Sequence, residues 1–358
     1  MNRFTSQYLN ILRVFSAFGV LLVHCRFTFF SADTLLSPYL NFGHMMVIIF
    51  FVLSGYVIAF SADTKNENMK QYLIDRFSRL YSVIIPALIF TFIIDSIGRF
   101  LYPEYYDLHL NANGNYYIRY LIVFLNLNQI WQWSSLVSTN GTFWSVAYEF
   151  WYYIFWGIIM FIPNKLVKTV LILLTALLIG PKIIVLMPCW LVGVAIYYIY
   201  KKENTNEKYM HVNIARILFY VSFILMLCLL FSIIEFPFKQ YFPNGKPPLF
   251  FSSNFLNDYL FSAVVAANIY FSSRSNFNVL SDKIIKPVNF LSNGTFTLYL
   301  FHYPLVVFFS IFIPYDHTSL PQVIGVMLLI FFLLTISGDY LERSRFWLKA
   351  KIIKVFGY

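Results

Sequence analysis

Charged residues are scarce in this 358-residue chain, in which Asp, Glu, Lys and Arg together make up 12%. Soluble domains carry roughly 25% charged residues, so this composition excludes an ordinary soluble fold. The three cysteines show no CxxC spacing and provide neither a disulfide framework nor a zinc site, and we expect no bound metal. GxSxG, Walker, HExxH and GxGxxG motifs are also missing, which leaves soluble hydrolases, ATPases, zinc proteases and dinucleotide-binding enzymes without support.

Apolar residues dominate instead, with 59% hydrophobic and 21% aromatic residues. They form continuous runs of about 17–24 residues, long enough for transmembrane helices and too continuous for the alternating strands of a membrane barrel. We therefore predict an all-α, polytopic membrane protein with about ten transmembrane helices, near 8–28, 41–60, 81–98, 143–162, 166–180, 183–200, 213–235, 256–272, 290–313 and 321–340. Because every connection is short, we expect one membrane domain over 1–358, without an appended soluble domain.

The run 116–130 is ambiguous, because it is short and carries Arg119 together with several amides. If it does not cross the bilayer, 18 of the 26 Lys and Arg residues lie on one side and five on the other. If it does cross, this bias largely disappears. The positive-inside rule therefore predicts that both termini are cytoplasmic and that 116–130 is interfacial or re-entrant.

The net charge of +10 could suggest a nucleic-acid partner. However, the basic residues form short clusters between apolar runs and do not line one amphipathic face. Such clusters are typical of membrane topology signals, so we expect the lipid bilayer as a partner and no nucleic acid.

Several polar residues interrupt the apolar runs, and ionisable groups inside a membrane usually mark a functional site. The candidates are Arg13 and His24 in the first run, Ser54 in the second, Arg76 and Arg79 before the third, Glu149 in the fourth and His302 in the ninth. Each has a plainer explanation too. The arginines could anchor helices at the interface, the histidines could bond to neighbouring helices, and Ser54-Gly55 could be a notch for close helix packing.

Five segments resemble motifs of the acyltransferase 3 family of bacterial integral-membrane acyltransferases, in the same order and over nearly the whole chain. Their sequences are YLNILRVFSAFGVLLVHCRF, IIFFVLSGYVI, YLIDRFSRLYSVIIP, GTFWSVAYEFWYY and LSNGTFTLYLFHYPL. Arg13 and His24 match the family's Arg-x10-His motif, and Arg76 and Arg79 match its RxxR segment. Two positions depart from the pattern, because Phe150 and Ile48 stand where many members have acidic residues.

The resemblance implies transfer of an acyl group, most often acetyl from acetyl-CoA, to a hydroxyl of an envelope glycan. It also implies a bacterial inner-membrane location. Arg13, His24 and Glu149 are the implied catalytic residues, and Arg76 and Arg79 the implied donor-binding pair. The matched residues Ser54, Trp144, Tyr299 and His302 are the implied substrate-binding residues. The alternative is a transporter or flippase of a glycan precursor without acyl transfer, although a transporter has no shared reason to carry this combination of residues.

The chemistry fits these assignments. An attacking alcohol needs a base that titrates near neutrality, which His provides, and an Arg-x-x-Arg pair can hold the phosphates of coenzyme A. At 1.5 Å per residue, His24 lies about 6 Å and Glu149 about 9 Å from the outer face, with His302 nearer the middle. We therefore predict that His24 is the general base, oriented by Glu149, the only acidic residue well inside a span. The alternative is that His302 does this work.

Overall fold

A computed structural model describes residues 1–29, 41–65, 67–110, 115–205, 210–238, 249–313 and 319–355. Within these ranges the protein is all-α, with no strand and one isolated bridge between Val137 and Asn140. The helices are α1 (Arg3–Phe29), α2 (Gly43–Thr64), α3 (Met69–Leu101), α4 (Pro103–Leu110), α5 (Tyr116–Phe124), α6 (Phe143–Phe161), α7 (Lys165–Ile179), α8 (Pro181–Thr205), α9 (Val212–Leu230), α10 (Phe255–Arg274), α11 (Asp282–Asn293), α12 (Thr295–Phe312) and α13 (Leu320–Val355).

Seven of the described helices are long and apolar enough to cross a bilayer, and all seven coincide with predicted spans: α1, α2, α3, α8, α9, α12 and α13. The other three predicted spans also fold as helices, α6, α7 and α10. Helix α7 has only 15 residues, while tyrosines and tryptophans in α6 and polar residues in α10 lower their hydropathy. The protein is thus a multi-pass membrane protein.

The ambiguous run 116–130 forms a helix over only its first part, the nine residues of α5. Such a helix is about 14 Å long, roughly half the thickness of the hydrocarbon core, so α5 cannot span a bilayer alone. Residues 125–142 that follow are irregular, yet several of their polar side chains are buried, among them Asn128, Gln129 and Asn140.

The predicted ninth span, 290–313, is not one continuous helix. The structure has two helices here, because α11 ends at Asn293 and α12 begins at Thr295. The start of α12 has its own cap. The Glu342 carboxylate of α13 accepts hydrogen bonds from the backbone N–H groups of Phe296 (3.0 Å) and Thr297 (3.2 Å). These N–H groups have no partner within the helix, so the carboxylate stabilises a helix start at this point.

The chain divides into two compact units. The first unit comprises Met1–Val20, Pro38–Asn66 and Ile184–Ser292, and the second comprises Leu21–Ser37, Glu67–Ile183 and Asn293–Tyr358. In the first unit, α10 packs against α2 and α9. In the second, the long helix α3 packs against α6, α12 and α13.

The first unit contains the predicted packing notch. A Cβ atom at Gly55 of α2 would lie 2.0 Å from the Trp190 carbonyl oxygen of α8, and one at Gly193 would lie 2.1 Å from the Val52 carbonyl oxygen. Only glycine lets the two backbones approach this closely, as in other small-residue helix contacts in membranes. Next to this crossing, the Trp190 indole donates a hydrogen bond to the Ser54 hydroxyl at 3.2 Å.

Candidate active site

The second unit brings two of the candidate residues into direct contact. The His24 Nδ1 atom at the end of α1 lies 2.6 Å from the His302 Nε2 atom of α12, and the ring planes differ by 13°. His302 is buried, with 1% of its surface exposed, whereas His24 is partly exposed. Of the two imidazoles, His24 is therefore the more exposed.

A backbone carbonyl sets the direction of the hydrogen bond between the two histidines. The His302 Nδ1 atom lies 2.9 Å from the Leu298 carbonyl oxygen, one turn earlier in α12. Because a carbonyl oxygen only accepts, Nδ1 of His302 carries the proton and its Nε2 carries the lone pair. The proton shared by the neutral pair therefore belongs to His24 Nδ1, which leaves the lone pair of His24 on Nε2.

A third ring completes this group. Tyr303 stacks on His24 with ring centroids 4.5 Å apart, a contact that no sequence motif predicts. The contact between the histidines also corrects the predicted depths, because His302 does not lie clearly deeper than His24. Counting residues from predicted span ends ignores helix tilt, which is commonly about 20°.

The segment 125–142 holds the helix that carries His302. Pro304 has no backbone N–H, so the carbonyl of Leu300, four residues earlier, lacks its usual partner within α12. The buried side-chain amide of Asn140 donates to this carbonyl at 2.8 Å and to the Thr91 hydroxyl of α3 at 3.0 Å. Asn140 thus supplies a donor to the carbonyl that Pro304 leaves without one. It also connects α12 to α3 at a point two residues from His302.

Asp95 of α3 anchors the same segment. Its carboxylate accepts hydrogen bonds from the Thr139 hydroxyl at 2.7 Å and the Thr139 backbone N–H at 3.3 Å, and Asp95 is completely buried. Glu149 is therefore not the only acidic residue inside the helices. The signal was present in the sequence, since Asp95 lies within the predicted span 81–98 and a carboxylate in a span is a functional candidate by default.

Glu149 of α6 is part of a different set of contacts. Its carboxylate accepts a hydrogen bond from the Tyr153 hydroxyl one turn later, and it lies within electrostatic range of the Tyr299 hydroxyl. Among the described residues, the hydrogen-bond partner of the His24 ring is His302 and not Glu149. The hydrogen bond that the structure shows for the His24 ring is thus the one to His302, and the role of Glu149 toward His24 stays a prediction.

Tyr299 links two of the matched family motifs. Its hydroxyl lies 2.7 Å from the Ser145 hydroxyl and donates to the Thr142 carbonyl at 3.2 Å, which joins α12 to the start of α6. The neighbouring Trp144 is buried and packs edge-on against Tyr148. Trp144 and Tyr299, both predicted to bind substrate, therefore lie in the same unit as the two histidines.

Arg76 and Arg79 lie in the first turns of α3, before its apolar part. Arg76 is buried, and its guanidinium lies over the Tyr72 ring at 5.4 Å. Arg79 lies one turn further along and close enough to Glu342 to interact electrostatically. Arg79 of the RxxR pair thus lies within electrostatic range of the carboxylate that caps α12.

Arg13 and Ser54 belong to the first unit. The Arg13 guanidinium donates to the Asn10 side-chain oxygen at 3.5 Å, and Ser54 accepts from Trp190. Within the described ranges there is no group of three or more His, Cys, Asp or Glu side chains that could hold a metal ion.

An all-α chain with several helices that can span a membrane, and with two histidines in contact, defines the class of multi-pass integral-membrane proteins with a polar candidate site. The model of the acyltransferase 3 family, described as an acyltransferase domain, matches residues 6–341. The chain therefore belongs to this family and is a membrane acyltransferase. No curated protein and no solved structure is significantly similar to it.

Proposed function

We propose that the protein transfers an acyl group, most simply acetyl, from acyl-CoA to a hydroxyl of an envelope carbohydrate such as O-antigen, capsule or exopolysaccharide. The observation that carries this proposal is the His24–His302 pair, whose hydrogen bonds leave a lone pair on Nε2 of His24, the more exposed of the two rings. A neutral imidazole with a fixed tautomer is suited to accept a proton from an alcohol.

In the proposed reaction, the acceptor hydroxyl oxygen attacks the thioester carbonyl carbon while Nε2 of His24 takes the hydroxyl proton. The carbon–sulfur bond then breaks, and the departing thiolate recovers that proton from His24. The products are the O-acyl sugar and free coenzyme A, and His24 returns to its neutral form. His302 orients His24, and Glu149 supplies negative charge that favours the transient imidazolium without bonding to it directly.

The donor side is proposed to involve Arg76 and Arg79, because guanidinium groups pair well with phosphate oxygens. Their position in the first turns of α3 supports this role, since it lies outside the predicted apolar span 81–98. The roles proposed for Arg13 and Ser54 rest on the family motifs alone.

The proposed topology has ten spans, with α6, α7 and α10 added to the seven more apolar helices. Both termini are then cytoplasmic, 116–130 is re-entrant or interfacial, and the location is the bacterial inner membrane. The support is the uneven distribution of Lys and Arg between alternate connections. Cysteine labelling of 201–205 from the outside would refute this topology.

The function is tested with purified protein in lipid nanodiscs, by following release of free coenzyme A thiol from acetyl-CoA with a glycan acceptor. We expect His24→Ala to lower the transfer rate by about 10²–10⁴ while donor binding persists. His211→Ala is the matched control, because His211 is an exposed histidine at the start of α9. A His24→Ala protein with near wild-type rate would overturn the assignment. Mass analysis of envelope glycans with and without the gene identifies the acceptor.

A further inference from the structure

Helices α3 and α13 run antiparallel where both extend beyond their predicted apolar spans. Asp75 of α3 forms an ion pair with Lys349 of α13. One turn later in α3, Arg79 lies within electrostatic range of Arg345, which is one turn earlier in α13. The same arrangement brings Arg79 next to Glu342.

This arrangement brings the guanidinium groups of Arg79 and Arg345 within electrostatic range of each other. Like charges on facing positions repel, and within the described part of the chain neither Arg79 nor Arg345 has a hydrogen bond or an ion pair with a carboxylate. Two carboxylates, those of Glu342 and Asp75, attract Arg345. Part of their charge is already compensated, because Glu342 accepts the two N–H groups at the start of α12 and Asp75 pairs with Lys349. An anion between the two guanidiniums would relieve this repulsion.

The wider cluster carries excess positive charge. Arg76, Arg79, Arg345 and Lys349 provide four cations, whereas Asp75 and Glu342 provide two anions. Arg345 is partly exposed and the Lys349 side chain is 41% exposed, so a solute can reach this end of α13. Arginine forks and a nearby lysine are the groups that proteins use to bind phosphate.

We propose that Arg345 and Lys349 of α13 complete, together with Arg79, the binding site for the phosphate groups of the acyl donor. This inference rests on the proposed function, in which the donor is an acyl-CoA. The donor's phosphate oxygens bridge Arg79 and Arg345, and Lys349 contacts them from the next turn of α13. Neither α13 residue belongs to the motifs that identify the family.

The test compares coenzyme A with pantetheine, which has the same thiol arm and no phosphate. Both are titrated into wild-type and variant proteins in nanodiscs of phosphatidylcholine alone. We expect Arg345→Gln to weaken coenzyme A binding about tenfold to a hundredfold, the range for loss of a charge-assisted contact, and to leave pantetheine binding unchanged. Arg343→Gln is the matched control, because Arg343 is 70% exposed and pairs with Asp339 on its own helix.

A second pair of variants covers the case in which Arg345→Gln does not fold. Lys349→Gln should weaken coenzyme A binding, whereas Lys351→Gln, two residues further along the same helix, should not. The inference would be overturned if Arg345→Gln bound coenzyme A as tightly as Arg343→Gln, and Lys349→Gln as tightly as Lys351→Gln. Equal losses for coenzyme A and pantetheine would also overturn it, because they indicate a structural role. If the wild type itself binds no coenzyme A, the donor assignment in the proposed function fails instead.

Membrane lipid is another source of phosphate. To distinguish a lipid phosphate from the phosphates of coenzyme A, the nanodiscs also contain phosphatidylglycerol. The amount of this lipid that remains bound after purification is then compared between the wild type and Arg345→Gln. If Arg345→Gln retains less anionic lipid but binds coenzyme A normally in phosphatidylcholine, the cluster binds a lipid headgroup and the inference is wrong. If only coenzyme A binding falls, the inference is supported.

Discussion

Replacing His302 by amides of different reach tests whether it orients His24 or acts as the base itself. In the structure both ring nitrogens of His302 are engaged, Nδ1 with the Leu298 carbonyl and Nε2 with His24. A glutamine side chain can place its oxygen near the position of Nε2, where it can still accept the His24 proton. An asparagine side chain reaches only to the position of Nδ1, so it leaves the Nδ1–H of His24 without an acceptor.

The expected decrease in rate for His302→Asn follows from that lost hydrogen bond. Leaving a buried donor unsatisfied costs about 1–3 kcal/mol, which corresponds to roughly a fivefold to 150-fold change in rate if it acts on the transition state. We therefore expect His302→Asn to lower kcat by about this factor and His302→Gln to recover most of the loss. KM for acetyl-CoA should change little in both, because the donor's phosphates bind elsewhere in the proposal.

The assay is steady-state transfer with free thiol detection, using His24→Ala as the reference for loss of the base. An amide cannot take up a proton at neutral pH, so the two explanations give different results. If His302 is the base, His302→Gln and His302→Asn are both as inactive as His24→Ala. That outcome would refute the argument that the Leu298 carbonyl directs the pair toward His24.

Three further predictions concern packing and charge. Asn140→Ala leaves the Leu300 carbonyl without its donor, so we expect a loss of about 1–3 kcal/mol in stability and a lower kcat, measured by thermal unfolding and thiol release. Gly55→Ala forces α2 away from the Trp190 carbonyl, and we expect about 1–3 kcal/mol of destabilisation in the same unfolding assay; an unchanged Tm would contradict the close crossing. Asp75→Asn removes a negative charge beside the basic cluster, so coenzyme A should bind a few-fold more tightly at low salt, and weaker binding would contradict the assigned electrostatics.

Much of the helical architecture was predictable because the bilayer limits the possible folds. A run of apolar residues of the right length must form a helix in lipid, so α1, α2, α3, α8, α9 and α13 follow from hydropathy. The candidate histidines were predictable for a related reason, since burying an ionisable side chain in a membrane span is unfavourable and such residues usually have a function.

The contacts between these residues were not predictable from the sequence. His24 and His302 are 278 positions apart, and residue counts along each helix gave them different depths. The break between α11 and α12 was also missed, because the stabilising group is Glu342 in another helix. Asp95 and Asn140 act through an irregular segment whose path no periodicity specifies.

The histidine pair shows why a neutral partner suits this position better than the expected carboxylate. A carboxylate next to His24 would have to be desolvated among apolar helices, and the effective penalty for a buried ion is several kcal/mol. His302 supplies an acceptor without a net charge. Its own orientation depends on the Leu298 backbone carbonyl, which can only accept a hydrogen bond. The remaining carbonyl of that turn, at Leu300, is satisfied by Asn140, so Pro304 costs α12 no hydrogen bond. The proposed base is thus oriented by neutral groups, and the positive charge that the proposed reaction places on His24 is transient, because the departing thiolate takes the proton back.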